Sequence, residues 1–265
     1  MGQSKRGKLN QLLAEWPHAT ISVCSWLHQQ GFGYDLINKY RRGKWLVPVG
    51  RGAVARAGDR VHWTGGLYAI QEQLGLAIHA GGKTALQMHG YAHFLPLAEG
   101  AAISLFGPPG VKLPAWFQKH DWGVRIRYAM AHLFSHQEDL GLTKKDMGTY
   151  SINISSLERA IMEVLYLAPQ QESLEEAILL MEGLTTLRPP LVQGLLERCR
   201  SVKVKRLFMF LAEECGHPWV KRLDLSKVDF GKGKRTIVKG GRFDPKYQIT
   251  VPPSRSELKG YEERA

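Results

Sequence analysis

One predicted helix, Gly33 to Arg42, carries the side chains best suited to contacting nucleic acid. Its apolar positions Leu36, Ile37 and Tyr40 form a stripe at helical spacing, which is expected to face a core. The opposite face then carries Tyr34, Asp35, Asn38, Lys39, Arg41 and Arg42. Asn can pair with adenine through two hydrogen bonds, and Arg can either read guanine or grip a phosphate. We therefore predict a DNA-binding face here; the competing interpretation is a small helical core with a hydrated basic surface.

The elements around this helix predict a winged helix-turn-helix. Helices are predicted over Lys5–Trp16 and Ile21–Gln30, and strands over Trp45–Val49 and Ala53–Arg56. Thr20 is a plausible N-cap of the second helix. The two strands flank Gly50-Arg51-Gly52, so they form a hairpin after the third helix, as winged helix-turn-helix domains do. Arg51 at the tip would then reach the DNA backbone or minor groove.

A second candidate for phosphate binding is the stretch Gly81-Gly82-Lys83-Thr84, which stands at the start of a predicted helix. Free N–H groups at a helix start favour an anion, and Lys83 adds a positive charge. Lys83 is therefore a candidate clamp for a DNA phosphate. The competing interpretation is a Gly-Gly turn between packed helices.

The positive charge is concentrated in two blocks of the chain. The formal net charge is +12, of which residues 1–95 contribute +7, residues 96–198 contribute −3 and residues 199–247 contribute +8. This asymmetry indicates polyanionic partners, nucleic acid first. In the second block Lys203, Lys205, Arg206, Lys232, Lys234 and Arg235 are predicted to form a second basic surface. The glycine- and lysine-rich part lacks the spacing of a phosphate loop and is equally compatible with a hydrated turn.

The pattern of elements predicts an α+β protein in which a winged helix-turn-helix domain precedes a mixed, helix-rich second domain. The predicted divisions are residues 1–95, 96–251 and a flexible tail, 252–265. An amphipathic helix is expected over Gly66–Ile78, and strands over Ala102–Phe106 and Val124–Tyr128. The later helices are expected to begin at the capping boxes Ser155-x-x-Glu158 and Ser173-x-x-Glu176, at Pro189, and at Val202. Because the later helices and both of these strands lie within residues 96–265, we expect those residues to fold without the first domain.

Several other classes of protein lack support in the sequence. No nucleophile elbow, dinucleotide fingerprint or metal-ligand spacing occurs, so we predict no catalytic residues, no metal and no cofactor. No run approaches the roughly 18 apolar residues of a membrane span. The N-terminus lacks the apolar stretch of a secretory signal. Three well-separated cysteines, Cys24, Cys199 and Cys215, are expected to stay reduced, so a cytoplasmic location is predicted.

Seven short motifs, taken in order, resemble the AbiEi antitoxin family. They are Trp45-Leu46 with Gly50-Arg51-Gly52-Ala53, Gly81 to Tyr91, Leu113 to Trp116, Glu158 to Ile161, Leu187 to Pro189, Val204 to Leu207, and Gly231 to Lys234. The resemblance covers residues 5–251. In one departure, this chain has Arg42-Gly43-Lys44 where many relatives have Ser-Gly before Trp-Leu.

The resemblance implies an antitoxin of a type IV toxin–antitoxin (abortive infection) system whose winged helix binds operator DNA and represses its own operon. The implied partner is a nucleotidyltransferase-like toxin that the antitoxin does not bind stably. The family's recognition-helix role would fall on the exposed residues of Gly33 to Arg42, and its wing role on Arg51. Two alternatives remain: a single-gene transcription factor with a ligand-sensing or dimerising second domain, and a nucleic-acid-processing enzyme. A toxin gene beside this one would favour the first reading over the transcription factor.

Overall fold

The computed structural model describes residues 10, 12–91, 102–135 and 139–252. The protein is α+β, and it divides into two compact units whose segments alternate along the chain. The first unit comprises Met1–Ala80, Ala98–Ala131 and Thr143–Ile154, and the second comprises Gly81–Leu97, His132–Leu142 and Ser155–Ala265. The boundary predicted at residues 95 and 96, and nearly all of the predicted tail, lie outside the described residues.

The named elements follow in chain order. The first are β1 (Ile21–Val23), α1 (Cys24–Gln29), α2 (Tyr34–Arg42), β2 (Leu46–Gly50), β3 (Ala53–Arg56), α3 (Trp63–Tyr68), β4 (His79–Ala80), α4 (Gly82–Met88), β5 (Ala102–Gly107) and α5 (Ala115–Lys119). Then come β6 (Arg125–Met130), β7 (Leu142–Asp146), β8 (Ser151–Ser155), α6 (Leu157–Leu167), α7 (Leu174–Gly183), α8 (Pro189–Arg198), α9 (Val202–Glu214), β9 (Arg235–Thr236), β10 (Arg242–Asp244) and β11 (Ile249–Val251). Within the described residues, no helix combines the length and apolar character needed to cross a membrane.

The small sheet of the first unit has the order β1-β3-β2, and it corrects the sequence prediction at its first strand. Ile21–Val23 was predicted as the start of a helix, but it pairs antiparallel with Ala53–Ala55. The pairing buries the side chains of Ile21 and Val23, which suits β-branched residues. Thr20 is not an N-cap, because its hydroxyl accepts from Trp16 Nε1 and donates to the Pro17 carbonyl. Of the first predicted helix, only Asn10 and residues 12–16 are described, and Asn10 and residues 12–15 are helical.

The five-stranded sheet of the first unit has the order β6-β5-β4-β8-β7. Its central strand, β4, precedes residue 95, whereas its other four strands follow residue 101. A fragment of residues 96–265 lacks this central strand, so the structure argues against the expectation that it folds alone. The helix predicted over Gly66–Ile78 is also corrected: α3 begins earlier, at Trp63, and continues as a wider turn over Ala69–Gln73 before the chain leads into β4.

The second unit contains α4 and α6 to α9, followed by the sheet β10-β11-β9. The Ser173 hydroxyl accepts from Glu176 N, so the predicted cap of α7 is confirmed on the serine side. Pro189 begins α8, as predicted. The capping box at Ser155 is wrong, because the residue before α6 is Ser156 and the Ser155 hydroxyl instead donates to Glu163. All three cysteines are free, and Cys199 is buried.

Candidate nucleic-acid interface

The exposed face of α2 contains all six polar side chains that its periodicity predicted. Tyr34, Asp35, Asn38, Lys39, Arg41 and Arg42 are all exposed. Ile37 and Tyr40 are buried and Leu36 is partly buried, so the predicted inner face is confirmed. Because these inner residues are fixed, the polar face has one orientation. Its contact with DNA remains a prediction.

A shared apolar core holds α2 against α1 and the small sheet. Its buried members are Leu12, Trp16, Leu27, Phe32, Ile37, Tyr40, Leu46 and Val54. Gly31, with φ of 87°, ends α1: its N–H donates to the His28 carbonyl, and Phe32 N–H donates to the Leu27 carbonyl. Glycine reaches this left-handed conformation without steric strain, which allows the short turn before α2.

The C-terminal end of α2 has the same pair of backbone hydrogen bonds as the C-terminal end of α1, but the residue in the left-handed conformation is not a glycine. Lys44 has φ of 58°, its N–H donates to the Arg41 carbonyl, and Trp45 N–H donates to the Tyr40 carbonyl. A non-glycine residue in this conformation is strained by roughly 1–2 kcal/mol. The strained residue places a third cation two positions after Arg42.

The hairpin beside α2 presents Arg51 at its tip, as predicted. Arg51 is exposed between Gly50 and Gly52, and Gly52 has φ of 88°. At Gly50 a Cβ would lie 2.9 Å from Trp116 Cβ, so only glycine permits this close approach to α5. The hairpin is therefore fixed against the buried Trp116 directly beside its tip, and this contact positions Arg51.

A surface depression of about 390 Å³ lies between α2 and the hairpin, lined by Asn38, Arg41, Arg42 and Pro48. Arg41 Nη1 donates to Asn38 Oδ1 over 3.4 Å. Two consecutive arginines on one wall make this depression suitable for an anionic group. Helical spacing predicts the three α2 residues of this lining, but it does not predict Pro48, because the pairing of β2 with β3 places Pro48 there.

Two aromatic side chains near α2, His28 and Trp45, were not among the predicted site residues. The His28 ring stacks on Tyr34 with centroids 4.7 Å apart and an interplanar angle of 19°. Trp45 is 54% exposed. Alternation along β2 was the available signal, because a buried Leu46 places its neighbours on the opposite face of the strand.

Lys83, predicted to clamp a DNA phosphate, is engaged within the second unit. Its ammonium pairs with both Glu172 and Glu176, and its side chain is 17% exposed. The exposed fractions of the two carboxylate side chains are 5% and 25%. Binding a phosphate would require breaking both ion pairs, so the structure removes Lys83 from the candidate DNA contacts.

The start of α4 does bind an anion, but the anion is the protein's own Glu163. Gly82 N–H donates to Glu163 Oε2 over 2.9 Å, and the Ser155 hydroxyl donates to the same oxygen over 2.8 Å. Arg159 Nε donates to the other oxygen, Oε1, over 2.9 Å. Glu163 is buried, so these partners compensate its removal from water. Gly81 and Gly82 join β4 to α4, so the competing interpretation of a turn between two packed helices is corrected to a turn between a strand and a helix.

Three of the six residues predicted to form the second basic surface are held inside the second unit. Lys205 and Arg206 are buried. Lys203 Nζ donates to the carbonyls of Tyr166 and Ala168, and burial lowers the pKa of Lys203. Their cations are therefore structural, and the predicted surface is corrected at these three positions.

Arg206 organises the glycine- and lysine-rich loop from within. Its guanidinium donates to the carbonyls of Phe230, Gly231 and Gly233, at 2.8, 3.0 and 2.6 Å. Gly231 N–H in turn donates to Asp229 Oδ1. The loop carbonyls therefore face Arg206 rather than solvent.

The remaining three residues, Lys232, Lys234 and Arg235, are exposed on this loop. Lys234 Nζ lies 5.0 Å from the ring centroid of Phe243, which is 41% exposed. A basic loop beside an exposed aromatic ring is compatible with a polyanion contact. The second basic surface is thus reduced to these three cations.

Short helices followed by a hairpin, with a basic exposed helix face, are the arrangement of DNA-binding transcription regulators. Comparison with family models shows that the chain belongs to the AbiEi antitoxin family of transcriptional regulators. A family model described as transcriptional regulator, AbiEi antitoxin, type IV toxin–antitoxin system matches residues 100–252. The AbiEi antitoxin N-terminal domain model matches residues 5–97.

One solved structure resembles the whole fold. The crystal structure of the RV2827C protein from Mycobacterium tuberculosis has a TM-score of 0.57 at 14% identity. The match covers 99% of this chain and 96% of that chain. At this identity the likeness concerns the fold. A comparison with curated proteins gives no match.

Proposed function

We propose that this AbiEi protein binds operator DNA through the exposed face of α2 and the hairpin tip, and thereby represses its own operon. The observation that carries the proposal is the α2 face itself. Four cations, Lys39, Arg41, Arg42 and Arg51, are exposed on α2 and the hairpin. On this reading α2 enters the major groove, where Asn38 supplies base contact, and Arg51 contacts the flanking backbone.

Titration of the DNA upstream of the operon with full-length protein tests this proposal. About 4–8 phosphate contacts predict that log K falls with log salt at roughly 0.9 per contact. Asn38→Ala should weaken binding to the operator by about 1–3 kcal/mol and binding to random DNA by less. Lys144→Ala, which removes one exposed cation on β7, is the matched control and should leave both affinities unchanged. Salt-independent binding, or equal losses of Asn38→Ala on both DNAs, would contradict the proposal.

We further propose that the second unit carries the antitoxin task through Lys232, Lys234 and Arg235. The observation favouring it is the anchored loop: Arg206 holds its carbonyls inward, so the three cations point outward in a fixed loop. The partner toxin, a nucleotidyltransferase-like protein on the family resemblance, acts on nucleic acid or nucleotides. A basic loop competing for that polyanion would neutralise the toxin without a stable protein complex.

The test uses the full chain expressed beside the toxin. Changing Lys232, Lys234 and Arg235 together to Gln should reduce rescue of growth while operator repression persists. The matched control changes Lys221, Arg222 and Lys227, three other cations of the second unit, and should leave both properties intact. Lost repression with intact rescue would assign the loop to the DNA footprint instead.

A further inference from the structure

We infer that the depression between α2 and the hairpin seats one phosphate of the DNA backbone, so that Arg41 and Arg42 hold the backbone rather than read bases. The inference rests on the proposed function, because it concerns the same DNA-binding surface. It assigns different roles to the two halves of the α2 face. Tyr34 and Asp35 remain for the bases, and the last turn of α2 serves the backbone. Asn38 stands between the two: base contact is proposed for it, and it also lines the depression.

The end of α2 presents donors to the depression and few acceptors. The Lys39 carbonyl accepts from Gly43 N–H over 2.9 Å, the Tyr40 carbonyl from Trp45 N–H over 3.0 Å, and the Arg41 carbonyl from Lys44 N–H over 3.1 Å. Carbonyls that are engaged in this way no longer repel an incoming anion strongly, although a helix C-terminus carries partial negative charge. The guanidinium groups of Arg41 and Arg42 therefore dominate the electrostatics of the depression.

The position of Arg41 favours a phosphate over guanine. Reading guanine uses two parallel N–H bonds from one guanidinium group to O6 and N7. Arg41 Nη1 lies 3.4 Å from Asn38 Oδ1, which keeps the guanidinium beside Asn38 in the lining of the depression. A phosphate accepts donors from many directions, so this arrangement suits it without rearrangement.

The hairpin wall points to the same conclusion. Pro48 of β2 lines the depression opposite the helix residues. A helix can read base edges only if that part of it sinks into the groove, and a strand beside its last turn prevents this. The space between α2 and β2 is instead open to a passing sugar-phosphate strand, and Pro48 offers an apolar, N–H-free surface to a deoxyribose.

The test combines single methylphosphonate substitutions, which neutralise one phosphate each, with protein variants. One position on the operator should weaken wild-type binding by about tenfold, as for a lost charge-assisted hydrogen bond. For Arg41→Ala the same substitution should weaken binding by only about threefold, since Arg42 alone then holds the phosphate. The Arg51→Ala protein should still respond to that position by about tenfold, because it retains the depression. Since Arg41 and Arg51 are exposed, unchanged melting temperatures should show that the variants fold.

Arg41→Lys separates the two roles of arginine. It keeps the charge but loses the two-pronged geometry, so it should retain most affinity and unchanged base preference if the contact is a phosphate. The inference is overturned if every methylphosphonate weakens Arg41→Ala as much as wild type. It is equally overturned if Arg41→Lys relaxes preference at one base pair. Failure of the wild-type protein to bind the operator refutes the proposed function and this inference together.

Discussion

Replacing Lys83 with Met separates a structural cation from a DNA contact. The substitution keeps most of the aliphatic side chain and removes the charge that pairs with Glu172 and Glu176. Removing one partner of a buried ion pair costs about 3–5 kcal/mol. Glu176 is 25% exposed, so water will recover part of this loss. We therefore expect a destabilisation of about 3 kcal/mol, near the lower end of that range.

The assay is thermal unfolding followed in parallel with operator binding at a temperature well below the transition. About 3 kcal/mol corresponds to a fall of roughly 6–12 °C in Tm for a unit of this size. Affinity for DNA and its salt dependence should not change in Lys83→Met. Lys39→Met, an exposed cation of α2, should show the opposite pattern: Tm unchanged and the salt slope reduced by about 0.9. If Lys83→Met keeps the wild-type Tm but loses affinity on all DNAs, the assignment of Lys83 to an internal ion pair is refuted.

Three further predictions concern stability. Lys44→Gly should stabilise the folded protein by about 0.5–1 kcal/mol, because the relief of roughly 1–2 kcal/mol of left-handed strain exceeds the entropy that glycine adds to the unfolded chain. Lys44→Ala should not stabilise the folded protein, because alanine is strained in the same conformation. Burial raises the pKa of Glu158, but hydrogen bonds from Arg188, from the Glu158 backbone and from Ser156 together outweigh burial, so the pKa is lowered. The stability from the pair with Arg188 is therefore present at neutral pH and lost as pH falls through the lowered pKa. In chemical denaturation, the gap between wild type and Arg188→Met should therefore be widest at pH 7 and narrow below about pH 4; a gap independent of pH would contradict this. Finally, residues 96–265 alone should show no cooperative thermal transition, because β4 is missing from the centre of their sheet; a sharp transition would refute the argument.

Local sequence patterns determined the elements whose stabilising contacts are close in sequence. The two faces of α2 follow from its helical spacing, and the hairpin follows from apolar runs on either side of a glycine turn. Ser173 caps α7 through a neighbour three residues away, and Pro189 begins α8. Each of these depends on a periodicity or a turn preference that a short stretch of chain already contains.

Tertiary structure decided the features whose partners are distant in sequence. Ile21–Val23 becomes a strand because β3 pairs with it, more than thirty residues later along the chain. Charge counting treats every lysine and arginine as equally exposed, yet Lys83 meets Glu172 and Glu176, and Arg206 meets the carbonyls of a later loop. Composition gives the number of cations but not their partners. Burial and pairing in the folded chain determine which cations remain available to a polyanion, and these include the exposed cations of α2, the hairpin tip and the loop at Lys232 to Arg235.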